Sequence, residues 1–211
     1  DKLIVDFSGG DPVPTPGLFY DGGIGDNDSL DFVNVPSTFT THTYGQINND
    51  DRTQDFAGSV VLNDGDDSTI AYTGLEPLTN DGTPNDVIFN LPTSSDIATL
   101  ADLGGGKARL DAATIEQTDF AYPIAGGSIT INMGDGDDTL TITSLALNAN
   151  TDLLLDGQVG NDTVNFSVPA PGGLTSVDQL LVTADTSTVN GPVNAASNVL
   201  LDAALGDVIL N

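Results

Sequence analysis

The chain has 211 residues, 31 of them acidic and 4 basic, for a formal net charge of −27, with one histidine and no cysteine. Four cations (Lys2, Arg52, Lys107, Arg109) cannot neutralise a phosphate backbone, so nucleic acid is excluded as a partner, as is direct docking on an anionic membrane. Zinc sites of Cys and His and a disulfide framework are ruled out, and Ser-His-Asp catalysis would have to use His42.

No apolar run approaches the roughly 18 residues of a membrane span. The opening DKLIVDF lacks a basic region followed by a long apolar stretch, so no signal peptide is expected. At 38% hydrophobic the chain can still bury a core, and its length suits one domain. Only Glu76 and Glu116 are glutamates. The other acids are Asp, a residue of turns and caps, so the charge is expected in loops.

One phrase recurs along the chain: an Asp or Asn, usually after Gly, Asn or Asp, precedes a short alternating apolar run. It begins with Asp1 before Leu3-Ile4-Val5 and returns at Asp28 in GDNDSLDF, Asp67 in DGDDSTIAY and Asp86 in TPNDVIF. Further instances are Asp138 in GDGDDTLTI, Asp162 in VGNDTVNF, Asp178, Asn198 and Asp207. Period-two alternation predicts strands, with Leu140 and Ile142 on one face and Thr139, Thr141 and Thr143 on the other.

Between these runs lie irregular stretches. Residues 35–58, containing His42 and Arg52, read as a lateral loop, with His42 a solvated loop residue. Asp96 could cap a helix over Ile97 to Leu103 that the following glycines would stop; a strand there is an equal alternative. Residues 168–173 (VPAPGG) read as a turn or bulge. The aromatic residues Phe19, Tyr20, Phe32, Phe39, Tyr44 and Phe56 are expected to fill core.

Asp138 and Asp162 begin the best-matched pair of phrases, 24 residues apart. Strand, tight polar turn and strand at that period describe one coil of a parallel β-helix (β-solenoid), with a β-sandwich as the alternative. The expectation is one elongated all-β domain over 1–211. Both ends read as cut strands without a covering helix, which predicts continuation or end-to-end self-association through open edges.

Residues 157–165, GQVGNDTVN, resemble the calcium-binding nonapeptide of RTX proteins, with Gln158 replacing the second glycine. Residues 133–141, MGDGDDTLT, match with the first glycine lost, and residues 22–31 keep three glycines with one extra residue. RTX motifs run in tandem, whereas here they occur once per longer coil. The stretch 115–145 with the following DGQVGNDTV resembles repeats of giant bacterial extracellular adhesin-like proteins, and NVLLDAALGDVILN is similar to haemagglutinin-type repeats. The resemblance implies an extracellular, cell-surface structural protein with Ca²⁺ in its acidic turns.

Charge gives a separate reason to consider the ion. Stacked coils would bring Asp138 near Asp162, and Asp137 near Asn161, about 5 Å apart on neighbouring strands. Like charges so placed must be screened, protonated or bridged. The candidate ligands are Asp135, Asp137, Asp138, Asn161 and Asp162, with Asp64, Asp66 and Asp67 as a second cluster. Turn carboxylates accepting backbone N–H bonds without metal are the competing account.

Function follows only to a class. No recognisable constellation surrounds Arg52, Arg109 or His42, so catalysis is not expected, a polysaccharide-degrading β-helix enzyme being the least favoured reading. Outward threonines (Thr139, Thr141, Thr143, Thr163) offer a glycan- or ice-binding face as an alternative. The main expectation is a structural or adhesive segment that self-associates or meets a cell-surface glycan or protein, with calcium as a rigidity switch.

Overall fold

The alternation read in the sequence is the burial pattern of the strands. In β13 (Thr139–Ser144) Leu140 and Ile142 are buried while Thr139, Thr141 and Thr143 are half-buried on the other face. The structure, a computed structural model, describes residues 1–23, 28–47, 56–75, 77–167, 174–191, 193–203 and 206–210. Among them the protein is all-β, with two large mixed sheets and no helix.

The ten-stranded sheet runs in spatial order β1 (Lys2–Asp6), β3 (Ser29–Val33), β7 (Leu78–Asn80), β11 (Ile115–Ala121), β10 (Lys107–Ala112), β9 (Ile97–Gly104), β13, β15 (Thr163–Ser167), β17 (Thr186–Asn190) and β19 (Val208–Leu210). The nine-stranded sheet runs β18 (Val193–Asp202), β16 (Leu174–Thr183), β14 (Ala146–Asp156), β12 (Ser128–Asn132), β8 (Asp86–Asn90), β4 (Thr41–Ile47), β5 (Phe56–Asn63), β6 (Asp67–Leu75) and β2 (Leu18–Asp21). Neither closes on itself.

From β12 onward the chain changes sheet at every strand, and from β14 each strand pairs in parallel with the one two before it. Two antiparallel meanders interrupt this course, β4-β5-β6 in one sheet and β9-β10-β11 in the other. Each has three strands, so its outer strands point the same way and the parallel order resumes. Gly104, Gly105 and Gly106 make the sharp β9–β10 turn, all at positive φ, a backbone region that L side chains resist.

Both sheets contribute to one apolar core. At its centre Tyr44 stacks on Phe89 at 4.7 Å, and Phe89 meets Phe120 edge-on at 5.0 Å, joining strands of both sheets. Of the aromatics expected there, Phe32, Phe39 and Tyr44 are buried, Tyr20 and Phe56 are half-buried, and Phe19 is exposed.

The stretch 35–58 is not simply a loop. Thr41–Ile47 and the start of Phe56–Asn63 are paired strands, while 48–55, with Arg52, lie outside the described residues. Period-two alternation of His42, Tyr44 and Gln46 turns all three inward, which is why His42 is buried rather than solvated. Ile97–Gly104 is a strand, deciding the open choice at that point. The turn at 168–173 and residues 24–27 of the glycine-rich phrase lie outside the described residues.

Candidate functional site

The recurring Asp forms a column. Asp96, Asp138, Asp162 and Asp185 stand immediately before β9, β13, β15 and β17, whose registers pair Ile97 with Thr139, Thr139 with Thr163 and Thr163 with Thr186. The backbone N–H of Asp96 donates to the carboxylate of Asp138 at 2.6 Å, that of Asp138 to Asp162 at 3.0 Å, and that of Asp162 to Asp185 at 3.0 Å. In the other direction the N–H groups of Thr139, Thr163 and Thr186 donate to the carbonyls of Asp96, Asp138 and Asp162, each at 2.8 Å. The same motif recurs at β1 and β3, where the nitrogen of Asp1 bonds the Asp28 carboxylate and Ser29 N–H the Asp1 carbonyl.

These carboxylates are inside the protein, with Asp96, Asp138 and Asp162 at most 2% exposed. Thr114, from the turn between β10 and β11, donates its hydroxyl to Asp96. One oxygen each of Asp96 and Asp138 has no hydrogen-bond partner. Burial pushes the Asp138 carboxyl up to about 6; the Asp96 N–H opposes this, and the charges of Asp96, Asp162 and Asp137 add to it. Asp96 and Asp162 are also raised, burial being the main cause in both.

Of the expected ligand set, the fold brings Asp138 to Asp162 and Asp137 to Asn161, whose N–H donates to the Asp137 carboxylate at 3.0 Å. Asp135 meets the neighbouring coil through its backbone bridge to Val159, and it is exposed. Asp64 and Asp66 occupy the exposed β5–β6 turn of the other sheet and Asp67 opens β6 beside them; Asp66 N–H bonds the Asp64 carboxylate and Asn63 bonds Asp67.

Calcium takes six to eight oxygens. Among the described residues no three acidic or histidine side chains assemble into a group that could hold a metal. One carboxylate oxygen each of Asp138, Asp162 and Asp185 accepts a backbone N–H from the neighbouring coil. The motif glycines have a packing reason: a Cβ on Gly160 would lie 1.6 Å from the Gly136 carbonyl oxygen, and one on Gly134 2.0 Å from that of Pro92.

A second polar cluster crosses the core. His42 shares a 3.3 Å contact with Asn80, which also donates to the Tyr44 hydroxyl at 3.0 Å. Tyr72 donates to Gln46 at 3.1 Å, and Gln46 to Thr118 at 3.2 Å, with Glu116 wholly buried nearby. Burial lowers His42 to about 4, so it is neutral at physiological pH. The alternation THTYGQI, followed through its polar members, was the sequence signal for this cluster.

No family model, curated protein or solved structure matches this chain. No helix among the described residues is long and apolar enough to cross a membrane.

Proposed function

We propose that this chain is a β-solenoid segment with a structural or adhesive role in an extracellular bacterial surface or fibre-forming protein. The observation that carries the reading is the run of parallel pairings from β12 to β19, in which the chain alternates sheets and each strand from β14 on pairs with the one two before it, with register shifts only between β14 and β16 and between β16 and β18. Stacking of this kind buries a continuous core and leaves edges onto which further strands, of a longer chain or a second copy, can pair. The adhesin-like phrases at 115–145 and 157–165 support an extracellular setting. The Asp column is a lateral clasp between coils, in which the carboxylates of Asp138, Asp162 and Asp185 each hold a backbone amide of the neighbouring coil. No catalytic role is assigned, and the burial of His42 supports that.

Tandem fusion tests the reading. Nine or ten strands at about 4.8 Å predict roughly 45 Å per copy, so three fused copies should be a straight rod of about 135 Å by electron microscopy. Separate beads on a string would overturn it. Beads coated with the chain test adhesion; no attachment beyond a polyaspartate control removes the adhesive half and leaves the scaffold.

One observation favours a second reading, a glycan- or ice-binding face. On the outside of the ten-stranded sheet Thr139, Thr163 and Thr186 share one register row, and Thr99, Thr141 and Thr188 the next, which Asn165 interrupts. Thermal hysteresis or a glycan array measures it directly.

A further inference from the structure

The outer face of the nine-stranded sheet carries a mostly apolar row flanked on each side by a polar row with two aspartates in it. Register places Ile88, Thr130, Leu154, Leu181 and Leu200 side by side on β8, β12, β14, β16 and β18. On β8, β12, β14 and β16 their neighbours along the strand are buried core residues, so these side chains point away from the core, and Leu200 continues their register row on β18. Leu200 is 56% exposed, and the other four are half-buried. Two positions earlier on the strands are Asp86 and Asp152, and two positions later are Asp156 and Asp202.

Among the described residues no cation lies on this face. The described ones, Lys2, Lys107 and Arg109, all lie on the ten-stranded sheet, where they pair with Asp31, Asp81 and Asp119. The acids flanking the leucines therefore have no positive partner among the described side chains, although single oxygens accept hydrogen bonds from Ser128, Gln179 and Gln158. A second copy, with charge −27, would be repelled from such a face.

We propose that this face docks a cationic amphipathic helix. The dimensions agree: Asp152 and Asp156, on either side of Leu154 on β14, are four residues and about 13 Å apart, against a helix diameter of about 10–12 Å. A helix laid across the strands sets its apolar stripe on the leucines, one turn of about 5.4 Å per strand spacing of about 4.8 Å. Its flanking Lys or Arg side chains then reach Asp152 on one side and Asp156 on the other. The inference requires only the register of this sheet and goes beyond the scaffold reading.

The probe is a fluorescent 18-residue Leu/Lys peptide with leucines at helical spacing, beside a scrambled peptide of the same composition. Fluorescence anisotropy should show tighter binding of the amphipathic peptide, with helix induced on binding by circular dichroism. Leu181→Lys should weaken it by about tenfold or more, and Thr188→Lys, on the opposite sheet, by no more than about twofold. The isosteric pair Asp152→Asn with Asp156→Asn, which keeps the acceptors for Gln179 and Gln158, should weaken it similarly and guards against misfolding of the leucine variant. Equal binding of the scrambled peptide, or equal losses in Leu181→Lys and Thr188→Lys, would mean attraction by net charge alone and overturn the proposal. So would sedimentation showing a dimer of the protein that Leu181→Lys abolishes, because a second copy would then own the face.

Discussion

The carboxylate of Asp162 accepts the backbone N–H of Asp138 at 3.0 Å, one coil back along the stack. The bond makes Asp162 an acceptor first and a charge second. Removing the acceptor leaves a buried N–H unpaired, which costs about 1–3 kcal/mol. Asp162→Ala should therefore lower stability by that amount in urea melts. Asp162→Asn keeps an acceptor and removes a buried charge, so it should melt at or above the parent at pH 7. An asparagine variant as damaged as the alanine one would show that the charge itself is needed.

Asp138 fixes a pH window. Its folded pKa is raised from 3.8 to about 6, so its protonated form is favoured in the fold. That contribution is complete below about 3.8 and is lost as pH rises through 6, a change on the order of 2–3 kcal/mol. Asp138→Asn cannot ionise. It should be more stable than the parent at pH 7.5, with the gap closing by pH 4. A gap that does not change with pH would refute the assignment.

His42 acts in the opposite sense. Its folded pKa is depressed from 6.5 to about 4, so the stability of the neutral ring is present above 6.5 and is lost as pH falls through 4. Because this loss overlaps the gain from Asp138, the parent melting curve alone separates neither. His42→Gln keeps an acceptor for Asn80 and should flatten the acid limb between pH 6.5 and 4. If the variant loses stability in acid as steeply as the parent, another group is responsible.

The register of Asp138 with Asp162 was legible because the repeated phrase carries it: 24 residues separate the two aspartates in the sequence and in the stack. Asp96 belongs to the same column but lies 42 residues before Asp138, because β10 and β11 are inserted between them. The period that reveals the repeat thus hides this member. The meanders were hidden for a related reason. Alternation in β5 or β6 is the same for a parallel or an antiparallel partner, so it sets the buried face without setting the neighbour. His42 was misread because its threonine neighbours looked like loop, although they only occupy the other face of a strand.

The amide clasp of the Asp column predicts no specific effect of calcium. Among the described residues the acids form no metal-holding group, while the net charge of −27 is open to screening by any cation. Ca²⁺ and Mg²⁺ at equal ionic strength should raise the melting temperature equally, and chelator should do nothing further. A rise with Ca²⁺ more than about 5 °C above that with Mg²⁺ would mean specific binding to the native state.

Gly160 separates packing from metal chemistry. It sits at φ +149° with its α-carbon against the Gly136 carbonyl, where an added Cβ would be 1.6 Å from the oxygen. Gly160→Ala must therefore push two coils apart at the Asp column, and should destabilise by on the order of 3 kcal/mol or more. Gly65, at φ +117° in the β5–β6 turn, has open space around its missing Cβ. Gly65→Ala bears only the conformational penalty, about 1–3 kcal/mol, without the steric clash. Chemical denaturation without added metal measures both. Equal, small losses at the two sites would show that the coils do not stack closely at Gly160, and would remove the packing account of the motif glycines.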